Sequence, residues 1–164
     1  MRNTDYRHCR DPSRGIGLSS SCSFLVALLL VLHTWIDESA TAETLAQEAY
    51  KIEREILNKP GGKQNQYLAA YGDINLMKFN CNGGAEMMPV IMTKEKKRKL
   101  KQHLLMFYTD IERTSASIYT EQLKNLNDHI KYYQKMSDIV LNTYDTISSM
   151  NIKKLTELIE KTEA

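Results

Sequence analysis

Nine consecutive apolar residues, Phe24 to Leu32, follow directly on a glycine- and serine-rich segment, Pro12 to Ser23 (PSRGIGLSSSCS), and this junction leaves the chain few options. A run of that length falls well short of the ~20 residues that a membrane-crossing helix needs. Two readings remain. One is a secretory signal: four arginines lie in MRNTDYRHCRDPSRG, and Ala40-Thr41-Ala42 has the small residues of a cleavage site. That reading must accept Asp5 and Asp11 in the leading region, and it leaves RGIGLSSSCS without a purpose. The other is a phosphate-binding turn that opens a helix. Gly15 and Gly17 permit positive φ and close approach of the backbone, and Ser19, Ser20 and Ser21 are suited to cap the helix that follows. The free N–H groups of its first turn, with the helix dipole, favour an anion. Phe24 to Leu32 is then a buried helix packed behind that turn. The sequence has no GK[ST], so this is not the P-loop of nucleotide triphosphatases, and a plain helix cap is the alternative.

The rest of the composition is that of an ordinary globular chain. It has 164 residues, 42% hydrophobic and 26% charged, with a net charge of +2, which fits one core and gives no sign of a disordered polymer. The basic excess is concentrated only in TKEKKRKLKQ, where Lys94, Lys96, Lys97, Arg98, Lys99 and Lys101 cluster. No aromatic residues are interleaved to stack on bases, so a solvated helix face leading into a strand is preferred over a nucleic-acid patch. Cys9, Cys22 and Cys81 are odd in number, far apart and without metal-ligand spacing, which points to a reducing, cytoplasmic setting and no structural zinc.

A second helix is expected over Glu43 to Asn58. Steps of ~100° per residue bring Leu45, Ala49, Ile52 and Ile56 onto one face, with Ala46, Tyr50 and Leu57 on the same arc. Glu53 falls inside this apolar arc, whereas Gln47, Glu48, Lys51, Arg54 and Glu55 lie opposite. A carboxylate there is buried at a cost unless it meets a cation, either a Lys or Arg side chain or a metal ion.

Four stretches in order, RGIGLSSSCSF, AYKIERE, GGKQNQYLAAYGDINLMKF and LLMFYTDIERTSASI, resemble the GHMP superfamily of small-molecule kinases. Within it the resemblance is to the bacterial D-glycero-D-manno-heptose 7-phosphate kinases, and it covers roughly Pro12 to Ser117. It implies an α+β, two-lobed fold, helix-rich with a partial sheet. It also implies ATP and Mg²⁺ as cofactors, a sugar or sugar phosphate as substrate, and neither nucleic acid nor membrane as partner. The family's phosphate loop maps onto Gly15, Gly17, Leu18, Ser19, Ser20 and Ser21, with Ser19 standing where the family has its second glycine. Its metal-binding residues map onto Ser21 and Glu53. Its GGKQDQ segment maps onto GGKQNQ, so that Asn65 occupies the place of the aspartate that accepts or orients the substrate hydroxyl proton, next to Gln64 as a substrate contact. Asp73 replaces a glycine, and Thr109 and Arg113 match a segment that faces the substrate phosphate.

A carboxamide accepts no proton at neutral pH, so Asn65 retains only a hydrogen-bonding role at that place. The family's first and third glycine-rich motifs have no counterpart before Asp11 or after Gly84, so the chain is expected to be the middle of a kinase. Residues 1–92 are then the remainder of the ATP-binding lobe and 93–164 the start of a mostly helical second lobe. Strands are expected at Ile74 to Phe79 and Leu104 to Tyr108. The tail is helical by pattern, with Ile118, Leu123, Leu126, Ile130 and Tyr133, then Met136, Val140, Tyr144 and Ile147, then Ile152, Leu155 and Ile159 recurring at helical spacing. Packing against the sheet is preferred there over a coiled-coil partner site, since heptads are not sustained. His33, His103 and His129 stand singly and read as structural. The function expected is transfer of the γ-phosphoryl of ATP to a hydroxyl of a heptose 7-phosphate-like sugar phosphate. The alternative is a non-catalytic remnant serving as a helical interaction module.

Overall fold

The computed structural model describes residues 19–107, 119, 122–124 and 130–161. They fall into two compact units, one running to Tyr71, the other holding Gly72–Phe107 and the tail from Leu123. The division after Tyr71 differs from the one after residue 92 expected from sequence.

The first unit is three helices packed on one another: α1 (Ser20–Trp35), α2 (Ala42–Lys51) and α3 (Gln64–Tyr71). Thr41 caps α2 by accepting a hydrogen bond from the Thr44 amide at 3.1 Å, one of the orphan donors of a first helical turn. Val26, Leu45 and Ala49 form the core, and Leu25, Leu29, Ala40, Ala69 and Ala70 pack against it. Ala46 and Ala49 are fully enclosed, because side chains this small let the helices approach closely.

At its C-terminal end α2 widens into a π-turn, Ile52–Ile56, in which the Leu57 amide reaches back five residues to the Ile52 carbonyl. A regular helix would have kept Ile56 and Leu57 on the core side. The extra residue in the turn rotates the following chain, and they emerge 64% and 53% exposed. Glu53, at the beginning of the π-turn, is 3% exposed, inside the apolar arc as expected.

Helix α1 corrects the expectation of a buried helix behind the loop. Only Cys22 and Val26 are buried, where one face meets α2 and α3. Phe24, Val31 and Trp35 point away from that contact and are exposed. The serines do not cap as expected either: Ser19 holds the N-cap position at φ 53 without a side-chain cap bond. No helix of the described residues is long and apolar enough to cross a membrane.

In the second unit β1 (Asn75–Phe79) pairs antiparallel with β2 (Ala85–Pro89), Met77 opposite Met87. The turn is closed by Asn80 N–H to the Gly84 carbonyl and Gly83 N–H to the Asn80 carbonyl, with Gly83 at φ 86, a backbone conformation open to glycine. This hairpin is signalled by Asn82-Gly83, a dipeptide of the kind that favours tight turns. Of the strand expected at Leu104 to Tyr108, Leu104–Phe107 has no ladder and stands exposed, and Tyr108 lies outside the described residues.

The lysine-rich run forms α4 (Lys94–Gln102), capped by Thr93, with Leu100 its buried residue and Lys97 paired to Asp73. It is the solvated helix face anticipated, without the strand after it. The tail forms α5 (Ile130–Ser149) and α6 (Ile152–Glu160), packed on each other. Ile74, Leu76 and Val90 of the hairpin region and Val140, Ile147 and Leu158 of these helices line a common apolar recess of about 280 Å³. Val140, Tyr144, Ile147 and Ile159 of the periodic set line this recess, whereas Leu123, Ile130 and Met136 are exposed, and Ile118, Leu126 and His129 lie outside the described residues.

Candidate functional site

The start of α1, the π-turn and α3 converge on Glu53. Its carboxylate accepts hydrogen bonds from Ser21 Oγ at 3.0 Å, Cys22 Sγ at 3.1 Å and Gln66 Nε2 at 2.6 Å. The cationic side chain sought by the sequence argument is not its partner: among the described residues Glu53 makes no ion pair, and three neutral donors take that place. Burial alone would raise its pKa, but the bonds from Cys22, Gln66 and Ser21, helped by the charge of Arg54, outweigh burial and hold it below 4.5. The carboxylate is thus ionised at neutral pH while nearly sealed from solvent.

Cys22 answers in the opposite sense. Burial first, then its bond to Glu53 and the field of that carboxylate, push the thiol up to about 11. It stays protonated at neutral pH, a donor to Glu53 rather than a thiolate ligand for a soft metal.

Arg54, the next residue, shapes the segment that leads into α3. Its Nη1 donates to the carbonyls of Lys59 and Pro60 at 3.0 and 3.1 Å, and its Nη2 to that of Gly62 at 3.0 Å. Gly61 lies against the guanidinium at φ +150, where an added Cβ would come within 2.8 Å of Cζ. Gly61 thus lets the loop fold onto the arginine, and the loop leads into α3.

Two tyrosines secure the rest of α3. Tyr67 and Tyr71 donate to the two oxygens of Glu43 at 2.7 and 3.0 Å, and their rings stack at 6.3 Å. Tyr67 is buried, and burial followed by the Glu43 bond lifts its hydroxyl to about 12, so it remains a donor. On the far side of α2, His33 Nε2 meets Glu48 Oε2 at 2.8 Å, the structural role expected of it.

The residues singled out from sequence are distributed unevenly. Ser21 and Glu53, 32 positions apart, are in contact. Ser19 and Ser20 lie at the start of α1 beside them. Asn65 is half-buried on α3, one residue before the Gln66 that touches Glu53, and Gln64 is exposed. Gly15, Gly17, Leu18, Thr109 and Arg113 lie outside the described residues. Sequence reasoning missed Gln66 and Cys22 as members of the cluster. Cys22 was legible as the neighbour of Ser21, while Gln66 needed the orientation of α3, for which no local signal exists.

A carboxylate and a hydroxyl are oxygen donors of the kind a small hard cation takes, while Gln66 turns its amide nitrogen to the carboxylate. No cluster of three or more His, Cys, Asp or Glu residues that would bind a metal by itself occurs among the described residues.

The family description "GHMP kinases N terminal domain" matches residues 10–73. Over 118 residues the chain is 29% identical to the D-glycero-alpha-D-manno-heptose 7-phosphate kinase of Campylobacter jejuni, covering 72% of this chain and 35% of that protein. The crystal structure of a D-glycero-D-manno-heptose 1-phosphate kinase from Bacteriodes thetaiotaomicron superimposes with a TM-score of 0.76 at 23% identity, over 90% of this chain and 43% of that one. The chain thus spans about a third of the first relative and less than half of the second.

Proposed function

Taking residues 10–73 as GHMP kinase N-terminal domain in an α+β fold of the heptose-kinase type, we propose that the chain carries the nucleotide and metal side of an ATP-dependent sugar phosphate kinase, with a heptose 7-phosphate-like acceptor. The observation that supports it most is the 3.0 Å bond between Ser21 and Glu53, the two residues that the family resemblance names as metal ligands. Ser21 and Glu53 would hold Mg²⁺, which would supply positive charge to the nucleotide phosphates. By the family resemblance Gly15 to Ser21 is the phosphate loop, and α1, whose N-cap Ser19 makes no side-chain cap bond, leaves first-turn amides available to an anion.

Asn65 orients the sugar hydroxyl by hydrogen bond, next to Gln64 and, by resemblance, Arg113. A general base contributes ~10²–10⁴-fold, whereas phosphoryl transfer draws most of its acceleration from positioning and charge stabilisation. Turnover therefore survives the carboxamide at reduced rate. The test is transfer of the γ-phosphoryl from labelled ATP to D-glycero-D-manno-heptose 7-phosphate by the full chain and by Asn65→Asp. A slow wild-type rate that the substitution raises about tenfold or more is expected. Transfer in neither protein favours a non-catalytic helical module, and an equal rate in both removes Asn65 from the chemistry.

A further inference from the structure

Gln66 is the most enclosed polar side chain of the first unit, with no exposed surface. One end of its carboxamide is committed, with Nε2 at 2.6 Å from Glu53 Oε2. The alternative flip would set Oε1 against the ionised carboxylate, two acceptors with no proton between them, so the orientation is dictated by Glu53. Oε1 is left buried, and no donor among the described residues reaches it. Buried acceptors rarely go unmatched, and the planar carboxamide keeps this oxygen across a single carbon from the nitrogen that is bonded to Glu53.

We infer that Gln66 is a positioning residue of the cation seat, its Nε2 fixing Glu53 in a ligand-ready orientation and its Oε1 supplying a further oxygen to the hydrated cation. The inference rests on the reading of Ser21 and Glu53 as metal-binding. A small, hard, hydrated cation suits such a set, because its donors are oxygens: a carboxylate, a hydroxyl and the unmatched amide oxygen. A glutamine that merely fills space would not need to be hydrogen-bonded to the carboxylate, and a leucine would serve.

The experiment titrates the full chain with Mn²⁺ in the presence of a non-hydrolysable ATP analogue, reading bound Mn²⁺ by electron paramagnetic resonance, for wild type, Gln66→Leu, Gln66→Glu and Glu53→Gln. Gln66→Leu is expected to weaken Mn²⁺ at least tenfold, of the size seen when partners that orient metal ligands are removed. Gln66→Glu, which sets a second carboxylate beside Glu53, is expected to bind Mn²⁺ at least as tightly as wild type although its metal-free fold is less stable. A merely structural role would not produce that split. Wild-type binding that Gln66→Leu leaves unchanged, or that a folded Gln66→Glu loses, overturns the assignment of Gln66 alone. Absence of saturable binding to the wild-type chain, or binding indifferent to Glu53→Gln, overturns the metal seat itself and the inference with it.

Discussion

Glu53→Gln keeps the size of the buried side chain and removes its charge, so it isolates what the three neutral donors contribute. In the folded chain Cys22 and Gln66 both donate to Oε2 and Ser21 donates to Oε1. The new amide oxygen can take the place of Oε2, and Ser21, whose hydroxyl turns freely, can accept from the new amide nitrogen. Three charge-assisted bonds become neutral ones, each weaker by roughly 1 kcal/mol, and relief from burying the charge returns about 1 kcal/mol. A loss of about 2 kcal/mol in unfolding free energy at pH 7 follows, read from urea melts.

The pH dependence sharpens this. The carboxyl is held below 4.5 in the fold, so its extra stability is present above that value and lost as pH falls through the lower folded pKa. The gap between wild type and variant should close in that acid range. Because the donors are neutral, 0.5 M salt should leave it nearly unchanged at pH 7. A variant as stable as wild type at pH 7, or a gap unaltered in acid, would refute the claim that hydrogen bonds offset the burial of this charge.

Three other substitutions probe the surroundings of the site. Gly61→Ala sets a Cβ 2.8 Å from the Arg54 guanidinium at φ +150 and should cost about 1–3 kcal/mol, with faster amide exchange over Lys59–Lys63. Ser19→Gly removes a side chain from φ 53 and should raise stability by about 0.5–1 kcal/mol, less than the full left-handed penalty because glycine also loosens the unfolded chain. His33→Gln should destabilise near pH 6 and not near pH 9. The bond to Glu48, then its charge and the contact with Glu38, raise the His33 pKa above 6.5. Its contribution is therefore complete below that value and lost as pH rises through the folded pKa, which melting midpoints at the two pH values will show.

Much of this was legible in the chain. Glu53 announced itself as a carboxylate in an apolar arc, since periodicity and burial are local properties of a helix. The helical tail and the solvated lysine run were readable for the same reason. What periodicity misses is a change of period: the π-turn kept Glu53 inside and sent Ile56 and Leu57 out. Exposure of Phe24, Val31 and Trp35 was equally hidden, because an apolar run records an affinity for burial and not the neighbour that supplies it. The neutral partners of Glu53 come from elements 31 and 13 positions away in Cys22 and Gln66, and only their packing brings them together. The resemblance supplied Ser21 as a candidate ligand, and no pattern in the chain pointed to Gln66.

The most direct test of a nucleotide and metal seat built on Glu53 is calorimetric titration of the full chain with Mg-ATP, beside the Glu53→Gln variant shown to be folded by circular dichroism. Saturable single-site binding, weakened at least tenfold in the variant, is the predicted result. No heat of binding to the folded wild-type chain, or equal affinity in the two proteins, would contradict it.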